Sequence, residues 1–168
     1  MTNQFDTLFL DRDGVINVKI DNEYIVKSSD FEFMPGVLSS IQKLSSIFKR
    51  IIIVTNQQGI GKKVMTEQDL MHLHEEMLVE IEQVGGRIDR IYYCPHLVSE
   101  NCECRKPKSG MIIQAFFDFP DIKSKFSYLI GDSDSDIEAG KQEHLQTVKV
   151  DNEYTLSKWC DELFLIIQ

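Results

Sequence analysis

The chain lacks any uncharged apolar run of about 18 residues, the length a helix needs to cross a bilayer, and a membrane-spanning reading is excluded on that ground. It also lacks the basic flank, long apolar stretch and small-residue cleavage site of a secretory leader. Its start, MTNQFDTLFLDRDG, carries acidic residues within the first strand-like segment, so a cytoplasmic location is expected. Positive charge is in short supply, with 18 Lys and Arg against 27 Asp and Glu and a net charge of −9. Nonspecific grip on nucleic acid or an anionic membrane rests on a basic surface, so neither partner is expected and any phosphate site must be built locally. No internal repeat, low-complexity tract or Pro/Gly/Ser linker divides the 168 residues, and the expectation is one domain spanning 1–168, acting as a monomer. A chain of this size buries roughly 70% of its unfolded surface without disulfide staples.

What is present is an alternation of two periods. Short apolar runs end in turn chemistry: Thr7–Leu10, Ile51–Val54, Ile88–Tyr93, Phe126–Ile130 and Thr147–Val150. The run Ile51-Ile52-Ile53-Val54 is continuous and β-branched, as in a strand buried on both faces of a parallel sheet. Between the runs, apolar residues recur at three and four. Val37, Leu38, Ile41, Leu44, Ile47 and Phe48 form one stripe; Leu70, Leu73, Met77, Leu78, Ile81 and Val84 form another, opened by a capping box from Thr66 to Asp69. Two further helices are expected over about 109–117 and 134–144. The pattern is that of βα units, giving a three-layer α/β fold with a Rossmann-like parallel sheet flanked by helices. No insertion between Asp13 and Thr55 is long enough for a separate cap domain, so loops must shape any pocket.

Ligands of open parallel sheets bind at the carboxyl ends of the strands, and reactive residues stand at three of those ends. The first strand delivers Asp11-Arg12-Asp13-Gly14, the second Thr55-Asn56-Gln57, the fourth Gly131-Asp132 with Asp134 and Asp136 following. Each piece alone has a bland reading as a turn, a helix cap or an acidic first turn. Together, carboxylates brought to one spot from two strands repel one another unless a cation sits among them, and a hard divalent ion, Mg²⁺, fits best. Lys106, in Cys104-Arg105-Lys106-Pro107, can bring positive charge to the same rim. Along an extended strand end, residues i and i+2 share a side, so Asp11 and Asp13 face one target while alternation points Arg12 away.

A second constellation is Cys94-Pro95-His96 followed by Cys102-Glu103-Cys104. Three thiols and one imidazole at this spacing fill a tetrahedral Zn²⁺ site, the closed and structural kind, bracing a loop poor in apolar residues. Free thiols beside a chance histidine are the alternative. Cys160, beside Trp159, reads as buried packing, and His72 and His74, two apart on a helix, cannot form an i, i+4 metal pair.

The ordered set Asp11-Arg12-Asp13-Gly14-Val15, Thr55, Lys106 and Gly131-Asp132 through Asp136 resembles the haloacid dehalogenase-like phosphatase superfamily across nearly the whole chain. The resemblance implies a phosphoric monoester hydrolase acting on a small phosphorylated metabolite through a phosphoaspartate on Asp11. It implies Asp13 as general acid and then base, with a raised pKa, and Thr55 and Lys106 as phosphoryl ligands. Asp11, the Asp13 carbonyl and Asp132 would hold Mg²⁺, with Asp136 in support. Asn56 and Arg105 are expected to touch substrate. The Cys-Pro-His, Cys-X-Cys, Arg-Lys-Pro pattern is similar to a zinc-loop branch that includes heptose-bisphosphate and histidinol-phosphate phosphatases. Asn17, Tyr24-Ile25 and Thr55 to Gly61 favour the heptose side, and the shortness of the Cys94 to Cys104 loop the histidinol side. A non-catalytic, zinc-braced phosphate-binding module is the rival from another class.

Overall fold

The computed structural model describes residues 5–167. Among them, β1 (Phe5–Leu10), β2 (Phe48–Asn56), β3 (Arg90–Cys94), β4 (Tyr128–Gly131) and β5 (Gln146–Lys149) pair in parallel, in the spatial order β3-β2-β1-β4-β5. The chain runs outward from β1 in one direction through β2 and β3, then returns to the other side for β4 and β5. A crevice therefore opens at the carboxyl end of β1, between its two neighbours.

The helices are α1 (Val37–Ile47), α2 (Glu67–Gln83), α3 (Gly110–Asp118), α4 (Asp134–Gln142) and α5 (Leu156–Ile166). They cover both faces of the sheet. Leu8, Leu10, Ile51 and Ile53 pack with Val37, Ile41, Leu44, Met77, Ile81 and Trp159 from α1, α2 and α5. Phe9, Ile52, Val54 and Leu129 pack on the opposite face with Ile112 and Ala115 of α3 and Ala139 of α4. Alternate residues of one strand thus enter two separate cores, which is why the strands read as continuous apolar runs.

The Thr66 box opens α2 as expected: Asp69 N donates to Thr66 Oγ1 at 3.1 Å, and Thr66 N donates to Asp69 Oδ2 at 2.8 Å. Several elements differ from expectation. Phe48 opens β2 rather than closing the first helical stripe. Phe126 belongs to a 3₁₀ turn, Ser124–Phe126, and the fourth strand starts at Tyr128. The third starts at Arg90 rather than Ile88. Helix α5 was not anticipated, although Leu156, Trp159, Cys160 and Leu163 are its buried residues at helical spacing. Cys160 is buried there, as packing.

Candidate active site and candidate metal centre

The chain leaves β1 in a tight loop. Asp11 N donates to Ile130 O of β4 at 3.0 Å, and the Arg12 carbonyl accepts from the amides of Val15, Ile16 and Asn17 at 3.2, 2.8 and 3.2 Å. Gly14 sits at φ 83°, and a Cβ there would lie 2.4 Å from Asp132 Oδ2. Glycine is what allows this turn to meet the end of β4. Gly131 does the same for the first turn of α4, since a Cβ would lie 2.1 Å from that of Asp136.

Lys106 stands at the centre of the crevice, 4% exposed. Its Nζ donates to Asp11 Oδ1 at 2.9 Å and to Val54 O at 2.7 Å, and lies 2.5 Å from Asp136 Oδ1. Burial opposes its charge, but the carboxylates of Asp11 and Asp136 outweigh that and raise its pKa. Asp11 is pushed up to about 7, by burial first, against the pull of Lys106 and with the neighbouring charges of Asp136 and Asp13 adding to the rise. Ligand oxygens of Asp11, Asp132 and Asp136 lie within 4.8 Å of one another. Asp136 Oδ2 caps α4 by accepting from Ser133 N at 3.1 Å. Asp132 Oδ2 accepts from Lys19 at 2.7 Å, while Asp132 Oδ1 is buried with no hydrogen-bond partner among the described residues. An orphaned carboxylate oxygen beside two further carboxylates is the donor set a hard cation such as Mg²⁺ takes. Asp134 stands outside this group, paired with Lys149 at 2.6 Å.

The carboxylate of Asp13 is held by three side chains. Arg12 Nη2 and Asn17 Nδ2 donate to its Oδ1 at 2.9 and 3.0 Å, and Gln57 Nε2 donates to its Oδ2 at 2.9 Å. Gln57 Nε2 also donates to Thr55 Oγ1 at 2.9 Å. Two expectations are corrected here. Arg12 does not point away from Asp13: the chain has already left the strand, so alternation no longer applies, and the guanidinium turns back at 1% exposure. Nor is the pKa of Asp13 raised. Burial pushes it up, but the Arg12 charge and the donors Asn17, Arg12 and Gln57 together bring it below the usual carboxylate value.

A cavity of about 550 Å³ opens above these groups, with Asp11, Asp13, Asn56, Arg105, Lys106 and Asp132 among its lining residues. Asn56 spends its amide on the backbone of Lys106: Nδ2 donates to Lys106 O at 3.2 Å and Oδ1 accepts from Lys106 N at 3.1 Å. Arg105 Nη1 is buried without a hydrogen-bond partner among the described residues, and Lys62 lies 5.3 Å from the centre of the Tyr24 ring on the same wall.

Cys94, His96, Cys102 and Cys104 converge at the end of β3. Sulfur–sulfur distances are 3.5, 3.0 and 3.6 Å, and His96 Nδ1 lies 3.6 Å from Cys94 Sγ and 3.2 Å from Cys104 Sγ. These separations are far beyond a disulfide bond of about 2.05 Å and near the edge of a tetrahedron built on zinc–sulfur bonds of about 2.3 Å. The cluster is a candidate zinc centre. It packs on the start of α3, where Gly110 N donates to Glu103 O at 3.1 Å.

Asp11, Asp13, Asn56, Arg105, Lys106, Asp132 and Asp136 thus come to one crevice, with Thr55 buried behind Gln57 and Asp134 outside it, and the zinc ligands come to one cluster beside it. Gln57, Asn17, Lys19 and His74 were missed as site residues. Gln57 and Asn17 stood in quoted motifs, but His74 meets Arg12 across 62 residues of chain, and nothing local marks that contact.

The family model for polynucleotide kinase 3 phosphatase matches residues 6–159. A Campylobacter jejuni protein named D-glycero-alpha-D-manno-heptose-1,7-bisphosphate 7-phosphatase is 44% identical over 146 residues, covering 87% of this chain and 82% of that one. A Helicobacter pylori protein carrying the beta-anomer name is 38% identical over 139 residues, 82% of this chain and 79% of its own. Among solved structures, the D,D-heptose 1,7-bisphosphate phosphatase of B. bronchiseptica, complexed with magnesium and phosphate, superposes with a TM-score of 0.88 at 27% identity. It covers 96% of this chain and 99% of its own.

Proposed function

Because the chain belongs to the polynucleotide kinase 3 phosphatase family, among relatives named heptose-1,7-bisphosphate 7-phosphatases, we propose that it hydrolyses the 7-phosphate of D-glycero-D-manno-heptose 1,7-bisphosphate. Asp11 attacks phosphorus in line and forms the phosphoaspartate, while Asp13 gives a proton to the departing sugar oxygen. Water then attacks the phosphoaspartate, Asp13 takes its proton, and phosphate leaves with Asp11 restored. The Asp13 network favours the base form, and the charge of an arriving phosphate opposes that form, so substrate binding helps Asp13 keep the proton it gives in the first step.

Thr55 and Lys106 hold the phosphoryl oxygens. Asp11, the Asp13 carbonyl and Asp132 would hold Mg²⁺, with Asp136 fixing Lys106 behind them. When bound, Mg²⁺ neutralises the oxygens that otherwise repel an anionic nucleophile. Arg105, whose Nη1 is buried without a partner among the described residues, suits the second phosphate, since a guanidinium fork matches such a group. Asn56 serves the site through the Lys106 backbone. Zn²⁺ held by Cys94, His96, Cys102 and Cys104 would be structural, because four protein ligands would leave no position for a water. The reading takes the chain as one catalytic domain, a cytoplasmic monomer without a nucleic-acid or membrane partner, in keeping with its net charge of −9.

The observation that carries the proposal is the convergence of Asp11, Asp132 and Asp136 around the buried Lys106 at the mouth of the cavity. Magnesium-dependent phosphate release from a panel of phosphosugars and histidinol phosphate tests it. The heptose bisphosphate is expected to give the highest kcat/KM, and Asp11→Asn to abolish turnover. A preference for histidinol phosphate overturns the substrate, and an active Asp11→Asn overturns the mechanism. Phosphate binding without turnover on the whole panel leaves the non-catalytic module.

A further inference from the structure

We propose that Arg12 and His74 are a positioning pair whose task is to hold the Asp13 carboxylate in line for both of its proton transfers. The inference rests on the phosphatase reading above, in which Asp13 serves the leaving oxygen and then the attacking water. His74 lies on α2 and is buried; Arg12 Nη1 meets its Nε2 at 3.1 Å, and Arg12 Nη2 donates to Asp13 Oδ1 at 2.9 Å. A guanidinium has donors and no acceptor, so Nε2 must be the lone-pair nitrogen and the ring must be neutral with its proton on Nδ1. Burial, and then the Arg12 charge, holds His74 in that neutral form. It therefore acts as a fixed acceptor.

The geometry around Asp13 gives the acceptor its use. Arg12 Nε has no hydrogen-bond partner among the described residues, so the hold on its side-chain polar atoms comes from Asp13 at one amine and His74 at the other. Asn17 and Gln57 complete the grip on the two carboxylate oxygens. Without His74 the guanidinium loses the acceptor that fixes its second amine, and Asp13 Oδ1 keeps Asn17 as its one firmly placed donor while Gln57 still holds Oδ2. If the pair were packing alone, an apolar side chain would fill the position more cheaply than two buried polar groups. What the polar pair adds is a relay of fixed orientation from a helix to the group that moves protons.

Burst kinetics with an aryl phosphate, p-nitrophenyl phosphate, on the magnesium-loaded enzyme separates this from a structural role. A nitrophenolate leaves without a proton, so phosphorylation of Asp11 needs little from Asp13, whereas hydrolysis of the phosphoaspartate needs it as base. His74→Leu removes the acceptor. It is expected to give a burst of about one nitrophenolate per active chain followed by turnover about 10- to 100-fold slower than wild type, the scale on which a small misplacement costs rate. With a sugar phosphate, single-turnover phosphorylation slows by a similar factor, because that leaving oxygen does need the proton. His74→Gln, which can still accept from Arg12, recovers most of the rate. Burst amplitude counts the folded sites, so a merely structural role lowers the amplitude and leaves the rates per site unchanged. Should His74→Leu not fold, Arg12→Lys, which keeps the charge and loses the fork, is expected to show the same burst and slow turnover. Unchanged rates per site in His74→Leu or Arg12→Lys, or a His74→Gln as slow as His74→Leu, overturn the inference. An active Asp11→Asn, by contrast, would bring down the reading on which it rests.

Discussion

Protonating His74 costs the folded state, and the cost is large enough to see in acid. The ring is held neutral down to about 3 by burial and by the Arg12 charge, against 6.5 for an ordinary histidine. Between those two values the unfolded chain binds a proton that the folded chain refuses. Stability therefore rises with pH through this window, and the contribution is complete only above about 6.5. Each pH unit inside the window is worth about 1.4 kcal/mol, so from about pH 8 to about pH 5 the folded state loses roughly 2 kcal/mol through this residue. For a chain of this length that is about 4–8 °C in Tm. His74→Gln removes the linkage, while Asp11, Asp13 and the other titrating groups are common to both proteins and cancel in the comparison. Thermal or urea unfolding of the two proteins at both pH values is the assay, and the difference of differences is the quantity. The wild type is expected to lose roughly 2 kcal/mol more than the variant on acidification. Equal losses would mean that His74 ionises in place, and the argument for a fixed neutral acceptor would fall.

Lys106→Met leaves Asp11 and Asp136 buried without their shared ammonium, and unfolding in urea is expected to show a loss of about 3–5 kcal/mol together with activity; a stable, active variant would mean the lysine is dispensable. Gly131→Ala forces a Cβ against Asp136, and stability and Mg²⁺ affinity measured by calorimetry are expected to fall together. Cys102→Ser should reduce zinc content from about one per chain and lower Tm, with weakened phosphate affinity because Lys106 lies just beyond Cys104. Full metal content and unchanged Tm in that variant would contradict the assignment of the cluster.

What the sequence discloses here depends on whether the information is local. Ile51 to Val54 announce a strand because both faces are buried, and Asp11, Thr55 and Asp132 announce a site because strand ends of a parallel sheet share an edge. The zinc cluster is legible because its four ligands lie close along the chain. Helix α5 is legible too, since its buried residues Leu156, Trp159, Cys160 and Leu163 keep the helical period. The environment of Asp13 was not. Its low pKa depends on an arginine that turns back after the strand has ended, and the partner of that arginine comes from a helix far along the chain. Spacing names which groups can do chemistry; their ionisation belongs to the packing.

The reciprocal amide contact between Asn56 and Lys106 also bears on the order in which the molecule assembles. Lys106 travels on a loop and is delivered to Asp11 across 95 residues, fastened to the end of β2 by contacts spanning 50. Gln57 N donates to Cys94 O at 2.7 Å and Gly61 N to Pro95 O at 2.9 Å, tying the same strand end to the start of that loop. Each of these closures is long-range and waits on β3 docking beside β2, and such contacts form slowly relative to helices. The central lysine is therefore seated only when β2, β3 and the loop between Cys94 and Lys106 are all in place. An intact active site therefore reports that this whole edge of the sheet has packed, which the presence of helices and strands alone does not.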